Sequence, residues 1–482
     1  MSDNRLHIDL ANNRTHRQRF KYVLGDYVMS NVAWFVFNCL RYHMGMVVGY
    51  GSLLHFLTGR VVLAGQLVFP LMMMAVYALS GYYNEVCRKS RLQELLTTVT
   101  SAAVNTLIIF FLALINDVIG VRGMDYKLLL MLWALLFGLV YAARCVITNI
   151  TSRNIKSRRW TFPTLVVGSG AAAVAFVDQL NNMHDSMGYD VRGFVSIPGE
   201  NDAKEARLPR YDLADVEQVC RNEGIQELIV VPTRQESLQV MNAINRLFGL
   251  GLPIKVVPDR FNLLKSQVRI TDMYGATLVD ISGSSMSESG KNVKRLIDVV
   301  VSALALVVLL PFFALIALII KNDSEGPVFY LQERIGYHNK AFNIIKFRSM
   351  RVDAEQGGTP QLSTDNDPRI TRFGRVMRKY RIDELPQFWN VLKGDMSLVG
   401  PRPERRYYID LISQRVPAYA LLHQVRPGIT SLGMVKYGYA QNVDEMVERL
   451  SYDLMYLENM SLLNDMKIMA YTVKIVFTGR GM

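Results

Sequence analysis

Two adjacent carboxylates inside a run of arginines are the residues of this 482-residue sequence best placed to do chemistry. Asp383 and Glu384 stand in DPRITRFGRVMRKYRIDELPQFWNVLKGDMSLVGPRPE (367–404), where arginines recur at 369, 372, 375, 378 and 381, with Lys379 among them. A spacing of three drifts around a helix, so these cations form a ridge and not a narrow stripe. Arginine forks match phosphate oxygens; the alternative is a solvated surface or one facing lipid headgroups. Proline favours a helix's first turn, so Pro386 predicts a new helix through QFWNVL. Asp383 is then either its N-cap or a reactive carboxylate. In the reactive reading one carboxylate attacks phosphorus while the other holds a magnesium ion. Gly400-Pro401-Arg402-Pro403 and Arg426-Pro427-Gly428 each pin an arginine in a stiff turn, structural or pre-positioned for binding.

The elements around this block must bring it to its substrate. Gly326-Pro327 and the alternating residues after it predict a hairpin, with Lys346 and Arg348 in its second half. Ahead of it, residues 299–320 carry no charge for 22 residues and hold Pro311 just past the middle. Lys291, Lys294 and Arg295 precede this run, and Lys321 and Arg334 follow it. Cations on both flanks conflict with a simple crossing, and proline removes a backbone donor and bends or breaks the helix. A helix that enters the bilayer, breaks and returns to the same face satisfies both observations; an ordinary kinked span is the alternative.

Half of the chain is hydrophobic and a fifth is charged, which excludes a disordered protein. Four further apolar runs, at about 24–42, 61–80, 95–116 and 127–147, approach or reach the ~20 residues that span a bilayer. Lys127 and Arg144 are expected to snorkel from the fourth run toward the two interfaces. Lys and Arg cluster before the first run, between the second and third, and after the fourth, so both ends of the bundle face the cytosol. Residues 161–258 then alternate strand and helix patterns, as a parallel doubly wound sheet does. Gly168-Ser169-Gly170 opens a helix after the first strand, but Ala173 replaces the third glycine of a dinucleotide loop. A degenerate Rossmann-like scaffold outside the chemistry is expected there, followed by a flexible Ser/Gly-rich linker. The four cysteines are too dispersed for a metal or redox pair, no HExxH-type pair occurs, and no cleavable signal peptide is apparent. The charge of +12 suits anionic headgroups or phosphorylated substrates.

These residues together resemble a known family. Lys294-Arg295…Asp298, Gly326-Pro327-Val328-Phe329, Lys346-Phe347-Arg348-Ser349-Met350 and the block Asp383 to Pro403 are similar to the bacterial sugar transferase family, monotopic phosphoglycosyl transferases. The whole chain looks like its large subgroup of polyisoprenyl-phosphate hexose-1-phosphate transferases. The resemblance implies a membrane α-helical bundle plus α/β architecture: a basic cytosolic N-terminus (1–22), four transmembrane helices (23–150), a Rossmann-like domain (151–281), a linker (282–290) and an α/β-type catalytic domain (291–482) with a re-entrant membrane helix at about 296–320. It implies that Asp383 attacks the sugar-side phosphorus of a UDP-hexose and expels UMP. Polyprenyl (undecaprenyl) phosphate then takes the phosphosugar, initiating exopolysaccharide, capsule or O-antigen synthesis. Glu384 would bind Mg2+, and Lys294, Arg295, Lys346, Arg348, Arg378, Arg402 and Arg426 are candidates for phosphate or membrane contacts. The implied location is the bacterial inner membrane, multi-pass, with the catalytic domain on the cytosolic face among membrane lipids; a homodimer and no nucleic-acid partner are expected.

Two departures stand out. The family often breaks its membrane helix at Ser-Pro, whereas Leu310 precedes Pro311 here. After Pro427-Gly428-Ile429-Thr430 the sequence reads Ser431-Leu432-Gly433-Met434 in place of the usual Gly and Gln. Two rivals fare worse. A nucleotide-sugar oxidoreductase or dehydratase would need a Tyr-x-x-x-Lys after the glycine loop, and 161–290 contains none. A non-enzymatic sugar-nucleotide sensor gives no reason for Asp383 and Glu384 amid arginines.

Overall fold

The computed structural model describes residues 3–47, 49–114, 124–183, 185–198, 207–231, 238–257, 278–281, 285–352, 354 and 367–478. The chain divides into two compact units, residues 1–162 with 180–190 and 222–224, and the remainder. The first is helical: α1 (Asp3–His43), α2 (Leu53–Leu57), α3 (Arg60–Leu79), α4 (Arg91–Ile109) and α5 (Met124–Lys156). The basic N-terminal stretch is not a separate tail, because α1 runs straight through it. Portions of α1, α3, α4 and α5 are each long and apolar enough to cross a membrane. Trp34, Phe37, Met73, Tyr77, Leu132 and Leu136 fill the interior, while Leu63, Leu67, Leu71 and Leu130 face outward. Residues 115–123, which include the end of the third apolar run, lie outside the described residues.

Arg144 does not snorkel. It is fully buried and grips Asp26 of α1 with two donors, Nε to Oδ1 at 2.9 Å and Nη2 to Oδ2 at 2.6 Å, while Nη1 donates to Thr98 of α4 at 2.8 Å. A charge inside an apolar bundle needs a partner, and Asp26 supplies it.

In the second unit, β1 (Phe162–Val167), β2 (Tyr189–Ser196), β3 (Arg210–Asp212), β4 (Glu227–Val230), β5 (Ile254–Val256) and β6 (Val279–Asp280) form one sheet in the order β3-β2-β1-β4-β5-β6. The first five strands are parallel and β6 pairs antiparallel with β5. α6 (Ala171–Asn182), α7 (Val216–Asn222) and α8 (Leu238–Phe248) alternate with them. Leu165, Val195, Leu228, Val240, Leu247 and Ile254 form the core that residues with this periodicity must make. The expected linker is anchored at its far end: Ser285 donates to the Leu457 carbonyl, Met286 is buried, and Ser287 caps the next helix at the Gly290 N–H, 3.1 Å away. Residues 282–284 of that linker lie outside the described residues.

That next helix, α9 (Glu288–Asp323), is continuous, with Pro311 inside it and not between two helices. It is the fifth helix long and apolar enough to cross a membrane. Both of its ends are fixed to the same folded body. Near the start, Asp298 accepts from Ser397 at 2.8 Å and from the Leu398 N–H at 3.0 Å. Near the finish, Phe313, Ile316 and Ile320 pack with Phe347 and Met377, and Asp323 accepts from the Phe373 N–H at 3.2 Å. Leu304, Val307, Leu310 and Phe312 between these anchors are exposed.

The body itself begins with the antiparallel hairpin of β7 (Phe329–Ile335) and β8 (Ala341–Phe347), in register Phe329 to Phe347. α10 (Arg372–Lys379), a 3-10 turn (Ile382–Glu384) and α11 (Gln387–Lys393) follow. β9 (Ser397–Val399) pairs in parallel with β10 (Gly428–Thr430). Where Gly400 follows β9 and Gly428 begins β10, the backbones approach so closely that a Cβ on either glycine would strike the other's backbone, which fixes glycine at both positions. α12 (Arg406–Arg415), a 3-10 stretch (Pro417–Gln424), α13 (Leu432–Lys436), α14 (Val443–Glu458) and α15 (Leu462–Thr478) complete the fold.

Candidate active site

Asp383 and Glu384 sit on the 3-10 turn that joins α10 to α11, one turn earlier than a helix N-cap would place them. Arg381 opens this turn in the left-handed region, φ 54°, a conformation that costs a non-glycine residue about 1–2 kcal/mol. The twist ends the arginine ridge and turns Arg381 back so that Nη1 lies 3.2 Å from Glu384 Oε2. Lys346 Nζ, from β8, lies 3.1 Å from Glu384 Oε1, and Arg402 Nη2, from the stiff turn after β9, lies 3.5 Å from it. Glu384 is 4% exposed. Burial opposes its ionisation, but Lys346, Arg381 and Arg402 outweigh burial and hold its carboxyl well below the usual carboxylate range.

Asp383 behaves oppositely. It is 7% exposed, and among the described residues no side chain donates a hydrogen bond to its carboxylate. Burial and the charge of Glu384 raise its pKa, against the pull of Lys346, Arg378 and Arg381. One member of the pair is therefore clamped and ionised, and the other is unengaged and more basic, as a nucleophile should be.

Asp383 lines a cavity of about 390 Å³ whose walls carry nine cationic side chains and two carboxylates. Lys346, Arg348, Arg378 and Arg402 are among those cations. Arg378 Nε donates to Ser349 Oγ at 2.9 Å, which steadies it beside Asp383. Arg348 plays a second part: it donates to the Ser324 carbonyl at 2.6 Å and to the Glu325 carbonyl, closing the end of α9. Its guanidinium occupies the space a Cβ on Gly326 would need, and Gly326 has φ 125°. Glycine is therefore the residue that position accepts.

Three candidates lie elsewhere. Lys294 bonds Asp465 at 2.7 Å and the Val399 carbonyl at 2.8 Å. Arg295 donates to the carbonyls of Val391 and Leu392, the open end of α11. Arg426 donates to the Gly394 carbonyl at 2.9 Å. None of the three lines the cavity. Their stiff or basic contexts reflect anchoring of α9, α11 and β10, because a helix end with unpaired carbonyls attracts an arginine as strongly as a phosphate does.

Sequence reasoning missed Glu404 and Tyr439. Glu404 is buried between Arg334 at 3.0 Å and Arg449 at 2.6 Å, fixing two walls of the cavity. It directly follows the Gly-Pro-Arg-Pro turn, a signal that was there to use. The Tyr439 ring lies 5.1 Å from the Arg381 guanidinium and 5.2 Å from that of Arg402. No local pattern announces that contact.

Magnesium binds through hard oxygens, commonly one or two carboxylates completed by substrate phosphates. Adjacent Asp383 and Glu384 fit such a shared site, since the Asp383 oxygens are unengaged and Arg402 is the loosest of the cations on Glu384. Among the described residues no group of three or more Asp, Glu, His or Cys forms a protein cage for the ion.

Residues 289–479 match the family described as bacterial sugar transferase. The chain is 45% identical over 189 residues to UDP-N-acetylgalactosamine-undecaprenyl-phosphate N-acetylgalactosaminephosphotransferase of Aeromonas hydrophila, covering 39% of this chain and 44% of that protein. It is 32% identical over 344 residues to undecaprenyl-phosphate glucose phosphotransferase of Komagataeibacter xylinus, covering 70% of this chain and 63% of that protein. The chain thus spans less than two thirds of the length of either relative. An uncharacterized sugar transferase of Haemophilus influenzae is 30% identical over 375 residues, 73% of this chain and 76% of that protein. With Asp383 and Glu384 near the centre of the matched region, this chain belongs to the bacterial sugar transferase family.

Proposed function

We propose that this protein transfers a sugar 1-phosphate from a UDP-sugar to polyprenyl phosphate, releasing UMP and forming polyprenyl-diphosphate-sugar at the start of polysaccharide synthesis. The observation that carries the reading is the unengaged Asp383 carboxylate in a cationic cavity beside the clamped Glu384. An Asp383 oxygen attacks the sugar-side phosphorus. The bond from that phosphorus to the bridging oxygen breaks, and UMP leaves with the oxygen. An oxygen of polyprenyl phosphate then attacks the same phosphorus and frees the Asp383 carboxylate, so no proton is needed in either step. Arg378 and Arg402 hold the diphosphate and offset the charge that repels an incoming carboxylate. Glu384 keeps Lys346, Arg381 and Arg402 in position between turnovers. Mg2+, bound with the substrate phosphates at the two carboxylates, would supply further charge neutralisation.

The relatives' names support both substrates: one specifies a UDP-sugar, and both specify undecaprenyl phosphate. A lipid acceptor must arrive from a bilayer, and the arrangement of α9 supports a re-entrant reading. Its two ends bind one soluble body while the middle is apolar and exposed. In that reading α1, α3, α4 and α5 are the four true spans, and the transferase works at the cytosolic face of the inner membrane. Release of UMP from a panel of UDP-sugars, with polyprenyl phosphate and magnesium present, tests the activity. A chain that binds UDP-sugars and releases no UMP from any would overturn it.

A further inference from the structure

The active-site cavity is not cationic all round. Pro327, Phe329, Met350 and Val352 also line it, and none of their side chains carries an N–H, an O–H or an oxygen. They gather where the chain leaves α9. Pro327 and Phe329 follow that helix directly, and the Val352 side chain fills part of the space a Cβ on Gly326 would need. The Arg348 N–H donates to the Val328 carbonyl at 2.9 Å, which holds the segment before Met350 against the segment before Phe329.

Phe329 links this part of the wall to the membrane helix. Its ring stacks on that of Phe347, with centroids 5.3 Å and planes 18° apart, and the Phe347 ring meets Phe313 of α9 edge-on at 5.2 Å. Around Phe313, the side chains of Leu310, Phe312, Leu315 and Leu318 are exposed. Successive strand residues face opposite ways. Phe329 therefore lies on the face of Phe347 and α9, while Tyr330 stands opposite Lys346, whose Nζ reaches Glu384. One step along β7 leads from the apolar surface of α9 to the cations around Glu384.

Phe329, Tyr330 and Val352 line the cavity and are exposed as well, so they stand at its mouth. Apolar surface left open there marks where a ligand or a lipid belongs. Of the two substrates proposed above, only the lipid acceptor joins a phosphate to a hydrocarbon. Its phosphate suits the cations and its first carbons suit the apolar wall. Uracil or a hexose would set polar groups against side chains that cannot bond them.

We infer that Phe329 and Val352 form an acceptor lip, which seats the isoprenyl units next to the phosphate and so selects polyprenyl phosphate over other phosphate monoesters. The inference rests on the transfer reaction proposed above. Tyr330 marks the boundary between the lip and the cations that take the phosphate.

UMP release by the full chain in detergent micelles, followed against acceptor concentration at saturating UDP-sugar, tests the lip. The acceptors are a long polyprenyl phosphate, a soluble three-isoprene phosphate and methyl phosphate. Wild type should use the three-isoprene phosphate in preference to methyl phosphate. Phe329→Ala should raise the KM for both prenyl acceptors about five-fold or more and leave the KM for UDP-sugar unchanged. Because that change also removes the stack on Phe347, Val352→Ser is the control for folding: Val352 is 68% exposed, and its replacement should raise the same two KM values at an unchanged Tm. No preference between the short acceptors, or prenyl KM values unchanged in Val352→Ser, overturns the lip. A rise for the long acceptor alone assigns these residues to the bulk membrane, and a raised KM for UDP-sugar assigns them to the nucleotide; either result also overturns it. In all these cases turnover by wild type with polyprenyl phosphate leaves the transfer reaction standing, whereas a wild-type chain that releases no UMP removes that reaction and the lip with it.

Discussion

Replacing Glu384 by glutamine removes the buried charge that three half-buried cations share. Lys346, Arg381 and Arg402 lie 3.1, 3.2 and 3.5 Å from its oxygens. Removing one partner of a buried ion pair costs about 3–5 kcal/mol. The amide oxygen of glutamine still accepts one hydrogen bond from a charged donor, worth about 1.5–3 kcal/mol. The net loss is therefore about 2 kcal/mol, and in a domain the size of the matched region, residues 289–479, each kcal/mol moves Tm by about 2–4 °C. Glu384→Gln should melt about 4–8 °C below wild type at pH 7.5, read by intrinsic fluorescence on the detergent-solubilised full chain. The pH dependence has a definite sign. The folded-state pKa of Glu384 is depressed, so its contribution is fully present above the ordinary value of 4.5 and is lost as pH falls through the folded value. The gap between the two proteins should be the same at pH 7.5 and 5.5 and narrow only below about 4.5. Equal Tm values at pH 7.5, or a gap that closes between 7.5 and 5.5, would refute the clamp.

Asp383→Asn should abolish UMP release without lowering Tm, because ionised Asp383 is opposed by burial and by Glu384 and contributes no stability at neutral pH; a collapse of Tm would make Asp383 structural. The acid limb of the wild-type pH–rate profile should lie above the ordinary carboxylate value of 3.8, and the residual activity of Glu384→Gln should have its limb at lower pH, since the raising charge is gone. Arg295→Met leaves the Val391 and Leu392 carbonyls without their donor and should lower Tm by several degrees with the KM for UDP-sugar unchanged; a raised KM at unchanged Tm would restore Arg295 to the substrate site. Single cysteines at positions 290 and 325 in a thiol-free background should both resist a membrane-impermeant reagent in intact cells, and labelling of the second alone would make α9 a true span.

The large elements were legible because their signals are local. Apolar runs gave the long helices, alternation of strand and helix patterns gave the doubly wound sheet, and Gly326-Pro327 with period-two residues gave the hairpin. β3 and β6, three and two residues long, carry too few positions for any period to show. In the site, Asp383 and Glu384 were visible from their setting, but the division of labour between them was not. It depends on Lys346 and Arg402, which reach Glu384 from 38 and 18 residues away. The arginine ridge illustrates the limit. Its even spacing suggests one surface, yet α10 stops at Lys379 and Arg381 turns left-handed. Arg372 and Arg375 are thus exposed, Arg378 lines the cavity, and Arg381 clamps Glu384. Lys294, Arg295 and Arg426 could not be told from substrate cations, because the carbonyls and the carboxylate that hold them come from distant segments.

The central claim is that Asp383 attacks phosphorus and carries the phosphosugar. Intact mass and peptide mapping of the purified protein, incubated with UDP-sugar and magnesium and without lipid acceptor, test it most directly. The account predicts an added hexose phosphate on the peptide containing Asp383, lost when polyprenyl phosphate is supplied and absent in Asp383→Asn. Turnover through a ternary complex of both substrates, with no adduct at any time, would contradict it.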